Sequence, residues 1–216
     1  MFIGHFGAGL IGKKISPETS LGTLFFASQF IDLLWPTFLL LGIEEVKIVP
    51  GITKLTPFDF SYYPYSHSLI AVIIRGFLFG SVHFIFKRNA RAFFLLALLV
   101  PGHWFLDLLV HRPDLPLSFS SNQYFGFGLW NFPVAAIAIE VAIFILGIYF
   151  YNKITTHKNK IGLIGFWGLI IFLSFMYLGN FFSPPPPDAA SIAWVGQAQW
   201  IIIFWGYWVD YHRQLT

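Results

Sequence analysis

The chain has 216 residues, 56% of them hydrophobic and only 11% charged, with a formal net charge of +3. Soluble domains carry about a quarter charged residues, and a single core of this size cannot hide so much apolar surface, so part of the solvent must be lipid. Nothing in the small net charge points to nucleic acid, and the absence of cysteine excludes disulfides, thiolate metal sites and a cysteine nucleophile.

The N-terminal stretch MFIGHFGAGLIGKK is apolar but too short to span, and its glycines at 4, 7, 9 and 12 suit close helix packing. Its lysines follow the apolar part instead of leading it, so it is expected to belong to the mature protein and not to a cleaved signal. Two placements are open. It lies flat at the interface as an anchor, or it re-enters the membrane from Lys13, which sets His5 eight residues, about 12 Å, deep at 1.5 Å per residue.

Six later stretches reach the roughly 20 residues needed to cross a bilayer, at about 20–43, 67–86, 92–111, 130–151, 161–182 and 190–209. The expected fold is therefore an all-α integral membrane protein of six transmembrane helices plus a short N-terminal half-helix. It forms one domain, 1–216, in which 1–115 carries the site and 116–216 supports it. Nine basic residues fall at Lys13, Lys14, Lys87, Arg88, Arg91, Lys153, Lys158, Lys160 and Arg213, against three in the alternate loops, Lys47, Lys54 and Arg112. By the positive-inside rule both ends of the six-span bundle are cytoplasmic. The one long loop, 44–66, with three prolines and five aromatics, is expected to fold over the outer face as a lid.

Ionisable groups inside spans cost at least about 2.5 kcal/mol each at the bilayer centre and are functional candidates for that reason. Asp32 lies in the first span, His67 at the head of the second with Arg75 eight residues on, and Glu140 in the fourth. In the third, His103, Asp107 and His111 follow at i, i+4 and i+8, one stripe of a helix. These positions fall roughly 6–17 Å below one surface at 1.5 Å per residue. A common layer of carboxylates and imidazoles suits a divalent cation, zinc first, with manganese or iron at higher coordination. The alternatives are bland. The His/Asp stripe is then a hydrogen-bonded cluster, His67 an interfacial residue behind Ser66 as an N-cap, and Arg75 and Glu140 a mutually neutralising pair. Otherwise Glu140 is a ligand or general base and Arg75 a phosphate clamp.

An N-terminal Gly-His half-helix, an Asp in the first long span, SHSL (66–69) opening a helix and HWFLDLLVHRPDLPL (103–117) together resemble the bacterial inner-membrane family of membrane-bound metal-dependent hydrolases. That family is distantly similar in motif to zinc-dependent phospholipases C. The resemblance covers about residues 1–115 and matches His5, Asp32, His67, His103 and Asp107. It departs where the family's Pro-Asp-x-Asp-His is here a single Asp in FIDLLW, and where His-Arg is replaced by Tyr62-Tyr63. The resemblance implies a multi-pass protein of the bacterial inner membrane. Its expected activity is metal-dependent hydrolysis of a lipid or lipid-linked phosphoester or ester near the outer leaflet.

On this reading His5, Asp32, His67, His103, Asp107 and His111 hold one or two ions, Asp107 or Glu140 takes the proton of a metal-activated water, and Arg75 or Arg112 holds a phosphate. The rivals are an ion, proton or small-solute transporter using the same layer, a haem protein using paired histidines, and a non-catalytic assembly factor.

Overall fold

The computed structural model describes all residues, 1–216, and is mostly helical. In chain order the helices are α1 (Ile3–Ile15), α2 (Leu21–Ser28), α3 (Phe30–Leu40), α4 (Pro64–His67), α5 (Leu69–Lys87), α6 (Ala90–Val110), α7 (Pro133–Ile154), α8 (Lys160–Phe182), α9 (Ala189–Gln197) and α10 (Gln199–Tyr211). Three two-stranded antiparallel ribbons join the loops: β1 (Glu45–Ile48) with β2 (Phe58–Tyr62), β3 (Leu115–Pro116) with β4 (Tyr124–Phe125), and β5 (Thr155–His157) with β6 (Arg213–Leu215).

Four helices, α5 to α8, are long and apolar enough to cross a membrane, and a fifth crossing is made if α2 and α3, bent by 57°, count as one. The expectation of six continuous spans meets a different arrangement at both ends of the chain. The stretch 20–43 breaks at Gln29, and 190–209 breaks at Ala198 into helices of 9 and 13 residues, each too short to cross alone. The two broken segments pack on each other. Gly196 of α9 meets Pro36 of α3, and Gly22 of α2 meets Tyr207 of α10.

Polar caps set the starts of the helices. Ser20, Asn89, Asn159 and Asp188 each accept a backbone N–H from the first turn of α2, α6, α8 and α9. The Asp188 carboxyl is held below its ordinary value by those Ser191 contacts. Ser66 does not cap α5, contrary to the sequence reading. The cap position is Ser68, and Ser66 lies inside the single turn α4.

The short helix α1 is not a flat surface anchor but a buried strut. Ile3, Gly4, His5, Phe6, Gly7, Gly9, Leu10, Gly12 and Lys13 are all buried. Small residues allow this, because a methyl group added at Gly147 of α7 would lie 2.6 Å from the Gly7 carbonyl oxygen. Gly147→Val should therefore force α1 off α7 and destabilise the bundle by about 1–3 kcal/mol, the usual cost of overpacking. A lower thermal midpoint in detergent, with bound metal lost in parallel, checks it.

Helix α1 runs parallel to α7 and antiparallel to α6: Gly4 faces Glu140 and Leu10 faces Gly147, whereas His5 stacks on His103 and Gly12 faces Leu95 and Leu99. One end of the bundle thus gathers the basic residues. There Lys13 Nζ donates to Asp210 (2.8 Å) and the Thr19 carbonyl (3.0 Å), Tyr151 donates to Asp210 (3.0 Å), and Arg213 binds Asn152 and Thr155. The opposite end carries the β1–β2 ribbon, α4 and the residues following α6.

Candidate metal centre

Four helical segments converge beneath that opposite end. His5 comes from α1, Asp32 from the first turn of α3, His67 from the end of α4, and His103, Asp107 from α6, with His111 just past its last turn. All are buried except Asp32, which is partly exposed. Suitable ligand atoms of His5, His103 and Asp107 lie within 4.8 Å of one another, and the same is true of Asp32, His67 and His103. This buried group can hold a metal ion.

Asp107 is the hub. Its Oδ1 lies 3.1 Å from His5 Nε2 and against the Met1 nitrogen, and its Oδ2 lies 3.1 Å from His103 Nε2 and 3.9 Å from His111 Nε2. Asp32 is the second carboxylate, with Oδ1 3.4 Å from His67 Nε2 and Oδ2 3.5 Å from His103 Nε2. Ligands at the zinc–nitrogen and zinc–oxygen distances of a tetrahedral site stand about 3.3 Å apart, so the observed 3.1–3.5 Å spacings suit one. Two carboxylates also match the charge of a divalent cation.

The outer nitrogens of three histidines explain why the inner ones are available. His103 Nδ1 stands 2.7 Å from the Ser28 carbonyl, which can only accept, so Nδ1 carries the proton. The break between α2 and α3 takes that carbonyl out of the helical ladder and offers it to the imidazole. His103 Nε2 is then left facing two carboxylate oxygens while hydrogen-bonded to neither. Two carboxylates converging on one buried nitrogen call for a cation there, a metal ion or a proton on Nε2.

His67 is fixed through a longer chain. Ser66 donates its backbone N–H to Glu44 Oε1 (2.7 Å) and its hydroxyl to Glu44 Oε2 (2.6 Å), so the hydroxyl oxygen accepts from His67 Nδ1 (2.7 Å) and Nε2 stays bare towards Asp32. Burial pushes the Glu44 carboxyl up, and the Ser66 donors oppose that rise. His111 Nδ1 donates to Asp114 (2.9 Å), which also accepts from Tyr63 (3.1 Å). Burial and then the Asp114 charge push the Tyr63 phenol up, so it remains a donor. Hydrogen bonds of this kind fix the tautomer and raise the basicity of metal-binding imidazoles.

A roof closes over His111. Its ring centroid lies 4.2 Å from that of Trp130 and 4.8 Å from that of Phe60 on β2, while Arg112 ties the ribbon down through Asp59 (2.6 Å) and reaches Asp114 (3.4 Å). The loop 44–66 covers this end of the bundle, where the sequence places a lid. Gly126 lets the next loop press on the end of α6, since a methyl group there would lie 1.9 Å from the Arg112 carbonyl oxygen. Phe127 and Gly128 then donate to the Leu108 and His111 carbonyls (2.8 and 2.6 Å).

The remaining candidates lie apart from the ligand atoms. Glu140 Oε2 accepts from the Phe2 and Gly4 amides (2.8 and 3.4 Å), holding the start of α1. It forms no ion pair with Arg75, whose Nη1 instead points at the Ser66 carbonyl at 3.4 Å. Arg112 is spent on Asp59 and Asp114. Sequence reading missed Glu44 and Asp114. Nothing local to either residue marks it, since Glu44 meets Ser66 only when the β1–β2 ribbon folds back and Asp114 meets His111 only past the end of α6.

Fold and site together define a class: a bundle of membrane-length apolar helices enclosing a buried His/Asp group able to hold a metal ion. No protein-family model matches the chain, and no curated protein or solved structure matches it either.

Proposed function

We propose that the protein is a metal-dependent hydrolase of the bacterial inner membrane, acting on a lipid or lipid-linked phosphoester or ester near the outer leaflet, with both ends of the bundle cytoplasmic. The observation that carries this reading is His103 Nε2, buried, unpartnered and set between two carboxylates while its other nitrogen is anchored. The resemblance of residues 1–115 to the membrane-bound metal-dependent hydrolases and the gathering of basic residues at the far end agree with it. Zinc is the first choice of ion on donor chemistry, then manganese or iron.

An ion held there would supply Lewis-acid chemistry, lowering the pKa of a bound water towards neutrality and polarising the scissile bond. His5, His67, His103 and Asp107 position the ion. Asp32, the one candidate ligand not fully buried, would accept the proton of the attacking water. Arg75, half-buried and in contact with the residue preceding His67, is the cation free to meet a phosphate oxygen. Ion passage has less in its favour, since Glu140, its intramembrane carboxylate, is occupied by the amides of α1.

Elemental mass spectrometry of the detergent-purified protein, paired with a phospholipid hydrolysis assay, tests the proposal. The expected result is stoichiometric zinc, manganese or iron, hydrolysis abolished by a chelator and hydrolysis restored by the metal. Hydrolysis indifferent to the chelator, or a protein that stays metal-free after supplementation, overturns it.

A further inference from the structure

The site has a side entrance as well as a roof. A cleft of about 240 Å³ lies between α1 and α6, lined by Ala8, Leu99, Gly102 and Leu106, with His5, Ser28 and His103 at its inner end. The four apolar lining residues are each only partly buried, so the cleft opens on the flank of the bundle and not through the roofed end. The flank is apolar: Phe94, Leu98 and Phe105 on the outward side of α6 are 64%, 69% and 52% exposed. Helix α6 is one of the four able to cross a membrane, so the mouth of the cleft faces hydrocarbon.

An opening of this kind has a definite occupant. Water gains nothing from walls of Ala and Leu, whereas acyl chains surround the bundle at the concentration of a solvent. The cleft exceeds the roughly 150 Å³ of an apolar cavity that admits benzene, so several methylenes fit. Its inner end is imidazole, so a chain lying in it brings a polar group attached to its head against His5 and His103. Gly102 keeps the way clear: a Cβ built on it meets nothing within 4 Å, so any larger side chain there occupies the open space.

We propose that the cleft between α1 and α6 is an acyl-chain channel, entered sideways from the bilayer and gated by Gly102, which delivers a lipid substrate to the His5/His103 end of the metal centre. This inference rests on the hydrolase reading and names its substrate as one carrying a long acyl chain.

The test uses the full chain in lipid nanodiscs containing a phospholipid with a photoactivatable diazirine in its acyl chain, with adducts mapped by mass spectrometry and metal content measured on the same samples. Wild-type protein is expected to be labelled at Ala8, Leu99 and Leu106. In Gly102→Leu that labelling should fall at least tenfold and in Gly102→Ala by less, while metal content and labelling of the outward Phe94 and Leu98 stay unchanged. Labelling confined to Phe94, Leu98 and Phe105 in the wild type, or cleft labelling indifferent to Gly102→Leu, overturns the channel and leaves the metal-dependent hydrolase standing if metal is present. Cleft labelling that obeys the Gly102 series in a metal-free protein supports the channel and overturns the hydrolase. Retained metal in Gly102→Leu shows the bundle has folded, and if that variant is lost, the Gly102→Ala result decides.

Discussion

Asp107→Asn should leave a folded bundle that no longer holds metal. The substitution keeps the shape of the side chain and removes the charge that His5 Nε2, His103 Nε2, His111 Nε2 and the Met1 nitrogen all face. A ligand that binds only the folded state stabilises it by about 2.7 kcal/mol at a hundred times its dissociation constant. Titrating zinc into metal-stripped wild type should therefore raise the thermal midpoint measured in detergent, and Asp107→Asn should show no rise. Imidazole nitrogens bind metal only when deprotonated, so the wild-type rise should shrink on acidification. An equal zinc-induced rise in the variant removes Asp107 from the ligand set. No rise even in wild type, with Asp107→Asn destabilised by about 3–5 kcal/mol, would mark a cluster of imidazolium–carboxylate pairs, because breaking a buried pair costs that much.

The parts of this site that sequence made legible are those carried by regular helices. His103, Asp107 and His111 sit on one stripe because the spacing of four survives in α6 and its C-cap, but only His103 and Asp107 fall within the two close groups, and His111 Nε2 stands 3.9 Å from Asp107. His5 was legible from its depth within α1, although only the structure distinguishes a buried strut from a flat anchor. The breaks were not legible. Neither Gln29 nor Ala198 is a glycine or proline, and the polar residues that mark the two places, Ser28-Gln29 in the first and Gly196-Gln197 with Gln199 in the second, are outweighed by the apolar residues on either side over a span-length stretch. Yet the first break supplies the Ser28 carbonyl that anchors His103. Pro36, which is visible in sequence, acts elsewhere: lacking an N–H, it leaves the Asp32 carbonyl to Gln199 Nε2 at 3.5 Å. The Arg75–Glu140 pair, one of the two readings open for these residues, does not form, for a related reason. The start of α1 brings unsatisfied amides to Glu140, and backbone donors at a helix N-terminus are strong competitors for a carboxylate.

Glu44→Gln should weaken metal binding about 10–100-fold without touching the metal, the usual cost of losing a partner that orients a ligand. The argument follows one proton. In the wild type both Glu44 oxygens accept from Ser66, which obliges the Ser66 hydroxyl to accept from His67 Nδ1 and leaves His67 Nε2 unprotonated. A glutamine has one oxygen and one NH₂. The Ser66 backbone N–H is a fixed donor and claims the oxygen, so the NH₂ falls against the hydroxyl. The hydroxyl then accepts from glutamine and turns its own proton on His67 Nδ1, at 2.7 Å the nearer acceptor than the Tyr63 carbonyl at 3.4 Å. The imidazole answers by moving its hydrogen to Nε2, which now points an N–H at Asp32 in place of a lone pair. His67→Ala removes the same ligand outright, so the double variant Glu44→Gln/His67→Ala should bind metal no more weakly than His67→Ala alone. Isothermal titration with zinc reads all four proteins of this cycle. Additive losses would mean that Glu44 acts on the fold of the β1–β2 ribbon and not on the His67 tautomer. An unchanged affinity in Glu44→Gln would mean that the hydrogen bonds from Ser66 do not decide which His67 nitrogen faces the centre.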